Sequence, residues 1–162
     1  MIARLQSLTF PGALLRRGFW LYVWEIETAK GDKCLYVGRT GDSSSPNAQS
    51  PFNRLSQHLG SNKHANALRR QLQKVGMEPE SCRSFEMVAF GPIFPEVETM
   101  IDHHPARNKM AAMERALRDA LHEAGYRILN SVYCNHKPDP EEWREVLAAF
   151  GERFPKLKPA AE

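Results

Sequence analysis

Two hydrophobic segments carry a tyrosine each, Trp20-Leu21-Tyr22-Val23 and Leu35-Tyr36-Val37-Gly38, and Arg54-x-x-x-His58 follows them. Tyr22 and Tyr36 lie equally far on either side of Thr28-Ala29-Lys30. If Gly31-Asp32 helps to close a hairpin there, a side-chain period of two places both phenols on one sheet face. A phenol pair, a guanidinium and an imidazole converging on one surface suit phosphodiester chemistry better than they suit a core. A phenol ordinarily titrates near pH ~10, so it is a poor base unless nearby cations favour the phenolate. Arg39 and Arg54, with a divalent metal, would supply that field.

Arg54 falls near the start of a predicted helix, where backbone amides and the dipole already favour an anion. Its planar fork can engage two phosphate oxygens and offset charge that develops during reaction. His58, four residues on, shares its face and could relay a proton or hydrogen-bond a phosphate. Glu114 stands at the edge of an apolar stripe, between Met113 and Leu117. A carboxylate there is costly unless a cation or hydrogen bonds satisfy it. Either Arg118 at i+4 is its ion-pair partner, or it is a single protein ligand to Mg²⁺ (or Mn²⁺), which commonly binds through one or two carboxylates plus phosphate. Asn130 closes a short predicted strand and is either an ordinary turn residue or a group that orients this site.

The elements that must hold these residues are mixed. Residues 19–27 and 33–38 read as paired strands, rich in aromatic and branched side chains. A turn-rich loop spans 41–51. Ser50 and Pro51 predict a helix start with Phe52, Leu55 and Leu59 inward. A second helix is expected over about 63–75, burying Ala65, Leu68, Leu72 and Val75. A third strand follows at 83–90, then an irregular stretch over 91–106. Helix 107–124 carries Met110, Met113, Leu117, Leu121 and Ala124 at helical spacing, and a short strand at 126–130 comes next. Asp139 caps a last helix, 139–150, and a tail frayed from Pro155 (155–162) ends the chain. The fold class is therefore α/β in the α+β sense: a sheet of about three to four strands flanked by helices, one domain over 1–162.

This order of residues resembles the GIY-YIG nuclease superfamily over roughly 18–131. Trp20-Leu21-Tyr22 stands where the family has Gly-Ile-Tyr, and Tyr36-Val37-Gly38 where it has Tyr-Ile-Gly. Arg54 and His58 match the helix arginine and histidine, Glu114 the metal-binding glutamate, and Asn130 the late asparagine. The departure, Trp-Leu for Gly-Ile, removes no chemical group. The resemblance implies a metal-dependent DNA endonuclease, with catalytic residues Tyr22, Tyr36, Arg54, His58, Glu114 and Asn130. Tyr22 would be base or water-positioner, and Glu114 would hold the metal.

Composition bounds these readings. The chain has 162 residues and a net charge of only +3, so affinity for a polyanion needs local clustering. Between Asp42 and Glu78 there is no acidic residue, while Arg54, Lys63, Arg69, Arg70 and Lys74 fall inside. With Arg39 before it, this stretch is the footprint expected of phosphate-backbone contact, and Arg39, Lys63, Arg69, Arg70 and Lys74 are the expected DNA-binding residues. Three cysteines with no C-x-x-C spacing favour a reduced, cytoplasmic setting over secretion. No signal peptide is expected, and no stretch approaches the ~20 apolar residues of a membrane span. Asp102-His103-His104 is expected on a loop, where adjacent histidines converge poorly on a metal, and Cys134-x-His136 is half a zinc site with no matching half.

Two other classes stay open: a non-catalytic nucleic-acid-binding module on the same fold, and a protein-interaction domain using Trp20, Tyr22 and Trp24. Sequence specificity, if any, would come from loops 41–51 and 91–106, from a homodimer or from a specificity partner.

Overall fold

The computed structural model describes residues 3–42, 44–62 and 66–157. Its centre is a three-stranded antiparallel sheet of β1 (Phe19–Glu27), β2 (Lys33–Arg39) and β3 (Ser84–Phe94), in the order β2-β1-β3. Four α-helices flank it: α1 (Pro51–Leu59), α2 (Ala67–Lys74), α3 (Met100–Glu123) and α4 (Pro140–Arg153). The architecture is α+β, as the sequence predicts. Among the described residues no helix is long and apolar enough to cross a membrane.

The central strand β1 is buried on both faces over Phe19–Trp24, which is why it reads as an almost unbroken apolar run. Its hairpin with β2 is closed by Thr28–Asp32, where Thr28 N–H donates to the Asp32 carbonyl (2.8 Å) and Gly31 N–H to the Thr28 carbonyl (2.9 Å). Gly31 takes a φ of 90°, a conformation that glycine adopts without a Cβ penalty. The register pairs Tyr22 with Gly38 and Trp24 with Tyr36, so both phenols do share one face.

That face, with Tyr22, Trp24, Ile26, Cys34 and Tyr36, packs beneath Leu68 and Leu72 of α2 and Leu55 and Leu59 of α1. The opposite face presents Leu21, Val23, Leu35 and Val37 to Met110, Met113 and Leu117 of α3 and Val146 and Phe150 of α4. Two helical layers thus meet at the edge strand β2. Its outer edge is partly closed by a single parallel bridge between Leu35 and Ile128.

Several boundaries differ from expectation. The strand predicted over 126–130 is only that one bridge, and Asn130 extends it with its side chain instead of its backbone. β3 runs on to Phe94, past the expected end at residue 90. α3 begins at Met100, not 107, because the Thr99 hydroxyl caps it by accepting from Asp102 N–H at 3.2 Å. Pro105 lies inside this helix, and the hydrogen bond it removes falls in a first turn where Ile101 is 84% exposed. Asp102, His103 and His104 are therefore helical, not loop, residues; His103 is buried and His104 exposed. Val75 is exposed, since α2 ends at Lys74, while Lys63 and Ala65 lie outside the described residues. The tail stays packed to Leu157, because Phe154 stacks on Phe150 and both Phe154 and Leu157 are buried.

Gly38 is what lets the Tyr22 ring lie flat across the neighbouring strand: a Cβ there would meet the ring at 2.5–2.6 Å. Gly38→Ala is expected to cost about 1–3 kcal/mol of stability, the usual range for overpacking. Chemical denaturation of the two proteins would measure it, and an unchanged midpoint would refute the steric argument.

Candidate active site

α1 starts where the sequence says it should. The Ser50 hydroxyl accepts from Asn53 N–H (3.4 Å) and Pro51 occupies the first turn. The residues this helix buries most deeply are Pro51 and His58, so its inward face carries an imidazole where a leucine would be ordinary. His58 Nε2 lies 2.6 Å from Tyr22 Oη, a buried hydrogen bond between strand and helix. The imidazole is wedged edge-on between two phenols, with ring centroids 5.6 Å from Tyr22 and 5.1 Å from Tyr36.

Arg54, one turn before His58, donates from Nη2 to Asp42 and from Nη1 to Gln57 Oε1 (3.0 Å). Glu114 reaches the same place from α3, on the other side of β2. Its Oε2 accepts from Arg39 Nε at 2.8 Å, while Oε1 has no hydrogen bond among the described residues. Both side chains of that pair are about 15% exposed. The expected i+4 partner, Arg118, is engaged elsewhere, donating from Nε to the Asn130 carbonyl (3.1 Å).

Asn130 works through the backbone. Its amide Nδ2 donates to the Val37 carbonyl (2.8 Å) and its Oδ1 accepts from Val37 N–H (3.0 Å). The side chain thereby completes the ladder on the free edge of β2, and it fixes the strand between Tyr36 and Gly38. It is a positioning residue for the phenol next to it.

Burial governs the protonation of the cluster. Desolvation pushes the Tyr22 phenol well above its ordinary range, with the Arg54 charge opposing it. Tyr36 is pushed up to about 12, chiefly by burial and then by Glu114. His58 is pulled down to about 4 by burial, and then by Arg54, so it is neutral at pH 7. Glu114 is raised by burial against the opposing charge of Arg39. Of the field expected from Arg39, Arg54 and a divalent metal, the two guanidinium groups alone do not favour a phenolate of Tyr22, because desolvation at this depth outweighs them. Arg54 acts on Tyr22, Tyr36, His58 and Glu114 alike, which marks these groups as one electrostatic unit.

No protein-family model, curated protein or solved structure matches the chain. The geometry must carry the functional argument.

Among the described residues, three buried polar atoms of the site have no hydrogen-bond partner: Arg39 Nη1, Arg54 Nε and His58 Nδ1. Buried donors are ordinarily satisfied, so these atoms are open to an acceptor. Among the described residues no group of three or more His, Cys, Asp or Glu side chains could enclose a metal. Glu114 alone could hold one, through Oε1. A hard cation that keeps most of its waters fits such a donor. It would also offset the desolvation that raises this carboxyl.

Of the five expected DNA contacts, Arg70 and Lys74 stand exposed on α2, and Arg70 lies close enough to Tyr36 for its charge to act on the phenol. Arg39 is held by Glu114. Arg69 is buried and caps α1, donating to the Gly60 (2.7 Å) and Leu59 (3.2 Å) carbonyls and to Glu80 (2.6 Å). Lys63 lies outside the described residues. The residue that sequence reasoning missed is Asp42, the partner of Arg54. The signal was present, since Asp42 is the last acidic residue before the basic stretch.

His58 also sets a pH dependence of stability. Its neutral form is favoured by folding, so the unfolded chain, titrating near 6.5, takes up the proton first as pH falls. The contribution is fully present above about pH 6.5, declines as pH falls, and is gone below about 4. Two and a half pH units correspond to roughly 3 kcal/mol. Unfolding free energy measured between pH 7 and 4 should therefore fall less steeply for His58→Gln than for the wild type, and parallel curves would exclude the linkage.

Proposed function

We propose that the protein is a metal-dependent endonuclease that hydrolyses phosphodiester bonds in DNA through a GIY-YIG-type site. The single observation that carries this reading is the buried Tyr22–His58 hydrogen bond set beside Arg54 and Glu114 at one sheet edge, with buried atoms on Arg39, Arg54 and His58 that have no partner among the described residues. An incoming phosphate would supply acceptors for the two guanidinium donors.

The protonation states favour a relay. Tyr22 is a protonated phenol and His58 a neutral imidazole, so Nε2 can accept the phenol proton while Tyr22 Oη takes one from an attacking water. The water oxygen forms the new P–O bond as the bond to the leaving oxygen breaks, and that oxygen is protonated from solvent. His58 ends the step as imidazolium, with its charge facing the developing negative charge. Arg54 binds the phosphate oxygens and offsets the charge of the pentavalent state. Tyr36, whose ring lies 5.1 Å from His58, would position the water or the phosphate. Mg²⁺ or Mn²⁺, held by Glu114, would polarise the scissile phosphate and stabilise the leaving oxygen.

The test is cleavage of labelled duplex, single-stranded, flap and branched DNAs in Mg²⁺ or EDTA, comparing wild type with Glu114→Ala. Metal-dependent cutting should drop by roughly 10³-fold in the variant, while DNA affinity is kept or rises, because Arg39 is released. No cutting by the wild type on any of these DNAs, with salt-sensitive binding by both proteins, would leave a binding module instead.

A further inference from the structure

A second cavity opens beside the candidate site, between the C-terminal half of α3 and the segment after Asn130. It measures about 430 Å³ and is lined by Arg115, Arg118, Asp119, Ser131 and Tyr133 among others. That is within the ~300–1,000 Å³ typical of small-ligand sites. We propose that this pocket takes one unpaired nucleotide of the strand being cut, with its base stacked on Tyr133 and its phosphate on Arg115 and Arg118. The proposal rests on the nuclease reading and adds to it the state of the substrate: single-stranded next to the scissile bond.

Three features of the pocket argue for a nucleotide. Tyr133 is 93% exposed, so it packs into nothing in the fold and offers its ring face to a ligand. Base–aromatic stacking on such a platform, next to cations, is the general mode of single-strand binding. Second, the two guanidinium groups share Asp119, at 3.5 Å from Arg115 Nε and 3.2 Å from Arg118 Nη1. These are partly exposed pairs, which contribute little and can be exchanged for a phosphate.

Third, the pocket is in register with the chemistry. Arg115 follows Glu114 directly and Arg118 lies one helical turn beyond it on the same face. A turn of about 5.4 Å is between one and two steps of a stacked strand at about 3.4 Å each. Arg118 is also tied through the Asn130 carbonyl to the residue that fixes β2 beside Tyr36. A base inside a duplex is covered on both faces and cannot stack on Tyr133, so the occupant must be unpaired.

The experiment is equilibrium binding of fluorescent oligonucleotides to the full chain in EDTA, so that turnover plays no part. Tyr133→Ala should bind a single strand about 10-fold more weakly and a blunt duplex unchanged, while Tyr133→Phe should stay within about twofold of wild type. A single abasic position moved along the strand should weaken wild type at one place and leave Tyr133→Ala indifferent there. Equal losses on single strand and duplex, no loss with Tyr133→Ala, or no DNA binding at all would each overturn the pocket assignment. Selective loss in a protein that cuts nothing would retain the pocket and sink the nuclease reading alone.

Discussion

The site depends on one buried hydrogen bond between Tyr22 of the central strand and His58 of a nine-residue helix. Both groups are desolvated, and burial drives each toward its neutral form. Two neutral groups can share a proton at 2.6 Å without the cost of a buried charge. Breaking the pair would leave a buried polar atom on each side, at about 1–3 kcal/mol apiece. The bond therefore ties α1 to the sheet and holds a proton path in one piece. Gly38 makes room for the ring, and Ser50 with Pro51 sets the helix phase that turns His58 inward.

Around this neutral pair the charged groups are arranged by depth. Arg39 and Glu114 form a mostly buried pair across the edge of β2, where removing either partner would strand the other. Arg54 is paired with Asp42, whose carboxylate is 43% exposed. Glu114 of α3 pairs with Arg39 of β2 and feels the charge of Arg54 of α1, so residues of α1 and α3 act on one place from opposite faces of the sheet. A site built within one layer could not combine the Arg54–His58 face with Glu114.

Much of this was legible in the sequence, for identifiable reasons. Period-two spacing around a short turn placed Tyr22 and Tyr36 on one face, and cap chemistry placed Ser50, Pro51 and Asp139. The long α3 was underread because Pro105 is a strong local breaker, and only the Thr99 cap and an exposed first turn make it tolerable. The partners of charged residues were illegible. Glu114 chose Arg39, 75 positions away, over Arg118 in its own helix, because tertiary approach across β2 decides the pairing. Likewise Arg69, one of five similar cations in the basic stretch, was drawn into capping α1 by the approach of Gly60, Leu59 and Glu80. The protonation of the tyrosines could not be read from charge pattern alone, since burial depth, and not cation count, sets it.

The contrast between the two arginine pairs bears on how the proposed reaction would begin. Arg54 is as enclosed as Arg39, but its partner Asp42 is 43% exposed whereas Glu114 is 14% exposed. In the proposed reaction a substrate phosphate would displace Asp42, and the exposed carboxylate would return to hydration. Both members of the Arg39–Glu114 pair are mostly buried, so Glu114 would stay in place during such an exchange. In the proposed reaction Asp42 would hold the Arg54 fork until a phosphate replaced it, while the buried pair would keep the opposite wall fixed. The neutrality of Tyr22 and His58 matters here too. A phenolate at rest would attract Arg54 inward and compete with a phosphate, whereas a neutral pair would leave Arg54 to exchange Asp42 for the phosphate. In the proposed reaction, charge on the relay would develop only as the water attacks, when a phosphate would be present to balance the imidazolium.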